Sequence, residues 1–563
     1  MGRMMILLRL LLLVLSCYGY VRGLMRHFRV EFSLGVLFTS ICATMFLAGI
    51  LNLMKETAWA ICLGGFWVGV CSFRWKDRVW DVLCIGTVFF VLSAVVLLVW
   101  LHGMILTDYD DFSHWGTVIK VMITRNRLPN FSDGIITYQS YPTGSAGFVY
   151  YFLTISGIHS EWFQLYVQAL FGAGLLMSLF AFGRNWMGGL FTAACAAVLF
   201  LCNTGPINLL VDTLLPLVAV SGLCFCLYYR NTLGEKWYWL IPYLVSLVAI
   251  KNSGILFVLF LMAVVLYCLG KKGLGHWFVL GCFPGAALLL WQKHVLLVFS
   301  NGLNSRHAMS AQSITGNLLR KDGEALLEVL RVFLEAVLSW KNPVLILLGL
   351  VIVLTLLGRL LKLRWTEEGS QLLFFAGASY LIYEVFVLAM YLTTMPYGEA
   401  VALAGYSRYH RTILIFCGAC VFLAVAEALP DNLAIQSPAF LLTVILMYQS
   451  LFPGLWYNNP KHCGFVREEF QQLVTQSEVA HGKSYCVVVE AEYARKYSGY
   501  LQYLIRYLLN SADMKVCSVE EYRQKESGWE NYAYLICFGE SEEMDAFLLE
   551  QFGSTEQRVA LKD

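Results

Sequence analysis

Long apolar runs alternate with short polar breaks over residues 1–458, and the pattern then changes. A helix that crosses a bilayer needs about 20 mostly apolar residues. Runs of that kind lie at 4–20, 32–53, 57–73, 79–101, 161–183, 187–203, 208–229, 237–250, 253–270, 276–298, 341–361, 370–392, 409–428 and 437–456. They predict an all-α polytopic membrane domain, 1–458, with about 13–14 transmembrane helices. The first run has the length of a secretory signal, but Ser16-Cys17-Tyr18-Gly19-Tyr20 is too bulky for a cleavage site, so it reads as an anchor.

Beyond Asn458 the runs shorten to strand length. Ser484-Tyr485-Cys486-Val487-Val488-Val489 and Tyr532-Ala533-Tyr534-Leu535-Ile536-Cys537 predict two buried strands. Helical patterns near 495–509, 518–525 and 541–551 predict a small α/β domain over 459–563. No phosphate-binding glycine loop accompanies the strands, which points to packing or substrate docking rather than a second active site.

Charge draws the same boundary. Of 40 basic and 38 acidic residues, 11 basic and 17 acidic fall in 459–563, leaving net charges of +8 before the boundary and −6 after it. At 58% hydrophobic and 14% charged, the chain holds more apolar surface than a soluble protein of this length can bury. A net charge of +2 supplies no field for nucleic acid. Most of the 17 cysteines stand singly in apolar runs, as small hydrophobes do, and no structural disulfide is expected.

Basic residues in short loops orient the spans. Arg22, Arg26 and Arg29, then Arg74, Lys76 and Arg78, then Arg184, Arg230 with Lys236, Lys271 with Lys272, and Arg359 with Lys362 and Arg364 recur every second loop. All fall on one side if 145–157 does not cross, and that side is expected to be cytoplasmic. Loops 102–160, 299–340 and 393–408 and the tail then share the extracytoplasmic face.

Loop 102–160 carries the densest chemistry. It opens Thr107-Asp108-Tyr109-Asp110-Asp111-Phe112-Ser113-His114-Trp115. Carboxylates beside an apolar span are costly, and close pairs raise one another's pKa toward a general base. The plain alternative is a solvated turn with an Asp capping a helix near Phe112. The loop continues through Tyr138-Gln139-Ser140-Tyr141-Pro142-Thr143-Gly144 to an apolar segment, 146–157, too short to span and expected to be interfacial or re-entrant.

An acidic pair outside an early span, followed by a Tyr-Pro turn before a short helix, resembles the first outer loop of type-C glycosyltransferases (GT-C fold). That family includes protein O-mannosyltransferases, lipid A aminoarabinose transferases and bacterial relatives. The resemblance covers roughly 80–430. It implies an inverting, cell-envelope transferase that moves a sugar from a polyprenyl phosphate to an acceptor outside the membrane, with Asp111 or Asp110 as general base. The family usually carries this loop after its first span, and Tyr-Pro-Pro is commoner there than Tyr-Pro-Thr.

On the same mapped face lie Asp212, Lys251, Arg306, His307, Glu399 and Arg408. With Asp108, His114 and Tyr141 they form the expected substrate-binding set. The cations would hold the donor phosphate through charge-assisted hydrogen bonds, or else serve as interfacial anchors. The spacing of Asp108 and Asp110 also allows a shared Mg²⁺ or Mn²⁺. A transporter and a non-catalytic partner in surface-polysaccharide assembly are the competing functions. No inverted repeat of the kind transporters carry is visible.

Overall fold

The computed structural model describes residues 2–72, 82–183, 186–203, 205–299, 315–316, 321–339, 367–428, 461–524 and 531–561. The expected spans 341–361 and 437–456, and the candidate residues Arg306 and His307, lie outside the described residues. The described chain is mostly helical, with a small sheet near its end.

The expected apolar runs that fall within the described residues are helical, but fewer helices than expected are long enough to cross a membrane alone. Among the described residues six have that length and apolarity: Arg3–Leu24, Val30–Ile50, Glu161–Phe182, Lys271–Val298, Gly369–Thr393 and Tyr406–Ala426. Four more apolar helices, Ile85–Leu101, Trp186–Leu201, Leu214–Tyr228 and Gly254–Leu269, have 10–17 residues. Polar interruptions account for part of the difference. The expected run 208–229 begins as a loop holding Asn208 and Asp212, so its helix starts only at Leu214. Lys251-Asn252-Ser253 likewise ends the helix Ile241–Ile250 before the next begins at Gly254.

Val30–Ile50 is central and buried along most of its length. The first helix, Gly2–Leu24, packs on Met54–Ser72 through small residues. A Cβ at Gly19 would stand 2.1 Å from the carbonyl oxygen of Gly65, so only glycine allows this approach. The segment expected to be interfacial or re-entrant is the helix Gly144–Ser156, enclosed by protein and closed by Gly157 at φ 74°. Non-spanning helices tolerate apolar surroundings when protein covers them.

Polar side chains gather at opposite ends of the bundle. At one end Arg29 pairs with Glu31 and reaches Tyr228, while Lys236 donates to the carbonyl of His27 at 2.6 Å. The helix Ile241–Ile250 follows Lys236 and ends beside Lys251, which faces Asp212 and the acidic turn at the other end.

The described residues of the tail contain four strands, β1 (Tyr485–Val489), β2 (Met514–Ser518), β3 (Tyr534–Phe538) and β4 (Val559–Leu561), in the order β2-β1-β3-β4. The two expected strands are β1 and β3; β2 and β4 are additional. The first three run parallel and β4 is antiparallel to β3. Parallel neighbours require a crossover, and the helix Ala491–Leu509 supplies it between β1 and β2. Central β1 is buried throughout and uniformly apolar, as a strand covered on both faces should be. Every cysteine whose side chain is described is a free thiol.

Candidate functional site

The acidic turn is not a solvated cap. Residues Asp111–Trp115 form a π-helical turn that runs directly into the α-helix Gly116–Arg125. π-turns are rare and frequent at functional sites. Asp108, rather than Asp110 or Asp111, caps the helix start: its Oδ1 accepts from the Asp110 N–H at 2.9 Å.

The three carboxylates diverge. Asp110 is 25% exposed and accepts from the Arg408 guanidinium. Asp111 is 0% exposed and points into the protein, where its Oδ1 accepts from the Leu209 N–H at 2.9 Å. Its Oδ2 has no hydrogen-bond partner among the described residues. Burial, then the neighbouring Asp108 carboxylate, pushes Asp111 well above the usual carboxylate range. Burial and then Asp110 push Asp108 up to about 6.

Arg408 connects the turn to a second acid. Its Nε lies 3.5 Å from Asp212 Oδ2, and Lys251 Nζ lies 2.8 Å from Asp212 Oδ1. Both cations also lie over the ring of Tyr409, at 5.4 Å for Arg408 and 5.2 Å for Lys251. Backbone ties fix this arrangement. Asn203 donates to the Arg408 carbonyl at 3.1 Å, and Thr412 to the Asp212 carbonyl at 3.2 Å. Asp110, Arg408, Asp212 and Lys251 thus form one continuous chain of alternating charge across four separate segments.

The Tyr-Pro segment closes another side. The Ser140 carbonyl accepts from Trp291 Nε1 at 3.0 Å and from Asn252 at 3.5 Å, beside Lys251. Gly144 is required by close approach, since a Cβ there would sit 2.7 Å from the Ala249 carbonyl oxygen. Tyr141 meets His114 edge to face, with ring centroids 5.1 Å apart, and Trp115 and Tyr138 lie 4.5 and 6.0 Å from the same imidazole. Burial drives His114 down to about 3, so the ring is neutral across the physiological range. Neither ring nitrogen has a hydrogen-bond partner among the described residues, nor do the hydroxyls of Ser113 and Thr143. Buried polar atoms are rarely left so.

The structure therefore joins Asp108, Asp110, Asp111, His114, Tyr141, Asp212, Lys251 and Arg408. Glu399 is carried separately, half-buried on the short helix Tyr397–Val401. As placed, Asp108 and Asp110 are turned to different partners rather than to each other. One is turned to a backbone amide and the other to Arg408, and no group of three or more His, Cys, Asp or Glu suited to a metal occurs among the described residues.

Two pairings escaped the sequence reading. His410 Nδ1 lies 2.6 Å from Glu384 Oε1, with Tyr406 3.3 Å from each, between two apolar helices. An acid inside Leu381-Ile382-Tyr383-Glu384-Val385-Phe386 was a readable signal. The second is a buried contact with the tail, centred on Glu161 and Arg467. Glu161 in a first helical turn reads simply as a charge complementing the helix dipole. Comparison with known proteins finds no matching family model, no matching curated protein and no matching solved structure.

Proposed function

We propose that this protein is a membrane glycosyltransferase that moves a sugar from a polyprenyl phosphate to an acceptor on the extracytoplasmic face. The observation that carries the reading is the Asp110–Arg408–Asp212–Lys251 chain at one end of an apolar bundle. Its cations are part-exposed, so an entering phosphate can take them over with charge-assisted hydrogen bonds. Asp212 keeps both cations in place before the donor arrives.

The chemistry follows from the exchange of partners. The donor phosphate draws Arg408 away from Asp110, leaving that carboxylate at the opening without its counter-charge. The acceptor hydroxyl oxygen attacks the anomeric carbon from the side opposite the phosphate. The carbon–oxygen bond to the phosphate breaks, its electron pair leaves on the lipid phosphate, and the hydroxyl proton passes to Asp110. Arg408 and Lys251 steady the departing charge. Asp110 replaces Asp111 as the favoured base because it faces the opening, whereas Asp111 is enclosed and anchored to Leu209. The neutral His114, the Tyr141 ring and the nearby hydroxyls supply hydrogen-bonding and aromatic surface of the kind a sugar uses.

Purified protein, supplied with radiolabelled sugar on polyprenyl phosphate and an extract of surface acceptors, tests the reading. Transfer by the wild type and its loss in Arg408→Met are expected. Transfer unaffected by both Arg408→Met and Asp110→Asn would remove this site from the reaction.

A second reading rests on a different observation. The Glu384–His410 pair is ionisable and buried between apolar helices, where proton-coupled transporters keep such groups. Proton-driven solute uptake into reconstituted vesicles, abolished by Glu384→Gln, would favour a transporter instead.

A further inference from the structure

The tail lies directly on the acidic turn. From the tail, Arg467 enters a buried site and donates to the Leu106 carbonyl and to Glu161 Oε1, the latter at 2.8 Å. Tyr507 donates to the same Glu161 oxygen at 2.8 Å, and Glu161 Oε2 accepts from the Leu106 N–H at 2.8 Å. Leu106 is thus held through both its backbone groups, two residues before Asp108. On the other side of the acids, the Phe112 ring meets Tyr507 at 5.2 Å and Tyr500 at 5.8 Å, with the Arg467 guanidinium 5.4 Å away. Tyr109 meets Tyr503 at 5.1 Å. Tyr500, Tyr503 and Tyr507 share one face of the helix Ala491–Leu509, by their spacing of three and four. Lys120 adds a contact to the Tyr507 carbonyl, and Arg506 donates to Thr137 at 3.0 Å.

We infer that the tail is a positioning element for the acidic turn, acting through Arg467 and Tyr507 on Leu106, Glu161 and Phe112. The carboxylates of Asp108, Asp110 and Asp111 make their own hydrogen bonds to the Asp110 amide, Arg408 and the Leu209 amide. The tail grips the residues on either side of them. That placement determines geometry because the turn is π-helical. A π-turn holds one residue more than an α-turn, so relaxation to α rotates what precedes it by about 100° relative to the helix that follows. Asp110 would then no longer face Arg408. Apolar contact alone could cover Phe112. A buried Arg–Glu–Tyr cluster is costly to desolvate and fixes one register instead.

The catalytic consequence rests on the transferase reading; the structural consequence does not. Both are measured on full-length protein. Hydrogen exchange is followed over 106–116 and, as an internal control, over Leu214–Tyr228 in wild type, Arg467→Ala, Arg467→Lys and Tyr507→Phe. Arg467→Ala is expected to speed exchange across 106–116 by about tenfold or more while the control helix is unchanged. Tyr507→Phe keeps the ring on Phe112, loses only the hydroxyl contact, and should produce a smaller change of the same kind. It serves as the deciding variant should Arg467→Ala not fold. In the transfer assay, kcat should fall about tenfold with KM for the lipid donor unchanged, and Arg467→Lys should recover part of it. Unchanged exchange at 106–116 in both Arg467→Ala and Tyr507→Phe overturns the inference. Faster exchange with unchanged kcat also overturns it, since the turn would then be ordered by the tail without being positioned by it. Absence of transfer by the wild type removes the transferase reading, and the exchange result still decides whether the tail sets the turn.

Discussion

Two charged networks flank the same short turn, and they differ in accessibility. Toward the opening, Arg408 and Asp110 are 28% and 25% exposed, and Arg408 divides itself between two acids. Toward the tail, Arg467 is 4% exposed and is fixed on one carboxylate and one carbonyl. A part-exposed cation with two partners can give one up to a ligand. A buried one cannot do so without leaving a bare charge in a dry site. Two arginine–carboxylate pairs therefore divide into an exchangeable one and a permanent one, and the difference is set by burial.

The comparison breaks most visibly at the exchangeable pair. Asp110→Asn should lower sugar transfer by about 10² to 10⁴-fold, the usual cost of losing a general base, with the thermal unfolding midpoint nearly unmoved. Asp111→Asn should cost transfer less, because the amide oxygen can still accept from Leu209, and should raise the midpoint at neutral pH, since its acid is already pushed toward the uncharged form. Equal losses of transfer for the two variants would dissolve the distinction between the two acids.

At the permanent pair the order of effects reverses. Arg467→Ala should destabilise the docked tail by about 3 kcal/mol, the lower end for one partner removed from a buried pair, because Glu161 loses its counter-charge and keeps only the Tyr507 hydroxyl and the Leu106 amide. Chemical denaturation followed by tail tyrosine fluorescence measures it. A loss below about 1 kcal/mol would place this pair with ordinary surface contacts.

A pH series sharpens the contrast further. Asp108 sits at about 6 against an ordinary 3.8, raised by burial and then by Asp110. A raised acid contributes to folding most fully below 3.8, when it is protonated in both states, and that contribution is lost as pH rises through about 6. The thermal midpoint should decline between these values in the wild type, and Asp108→Asn should flatten the decline. The smallest effect belongs to the exposed tail pair Arg523–Glu550, at 47% and 53% exposed, where Arg523→Ala should cost under about 1 kcal/mol in the same denaturation experiment.

Much of the opening-side network was legible in the sequence because each charge abuts an apolar run. Asp108, Asp110 and Asp111 follow one run, while Asp212, Lys251 and Arg408 interrupt or border others. Their convergence was not legible, since Arg408 and Asp110 are 298 positions apart. The division of labour among the three acids was also hidden, because it depends on a π-turn that periodicity cannot distinguish from an α-turn over five residues. The tail contact left no local trace: Arg467 lies in Val466-Arg467-Glu468-Glu469, which reads as a solvated helix face. In the tail, β1 and β3 were readable from their unbroken apolar runs. β2 mixes Lys515 and Ser518 into five residues and β4 has only three, too little for either to stand out.

The grip of Arg467 on Leu106 joins positions 361 apart, which gives the acidic turn a birth order. At about 5–20 residues per second, the ribosome finishes Leu106 roughly 20 to 70 s before it reaches Arg467. Throughout that interval Tyr109 and Phe112 emerge without their tail partners, and the turn waits unfinished. A chain that stops short of the tail, through a nonsense codon or proteolysis, would carry its acids without the contacts that hold the turn. The tail thereby acts as a completion signal, since the turn gains its last contacts only after Arg467 and Tyr507 have been made.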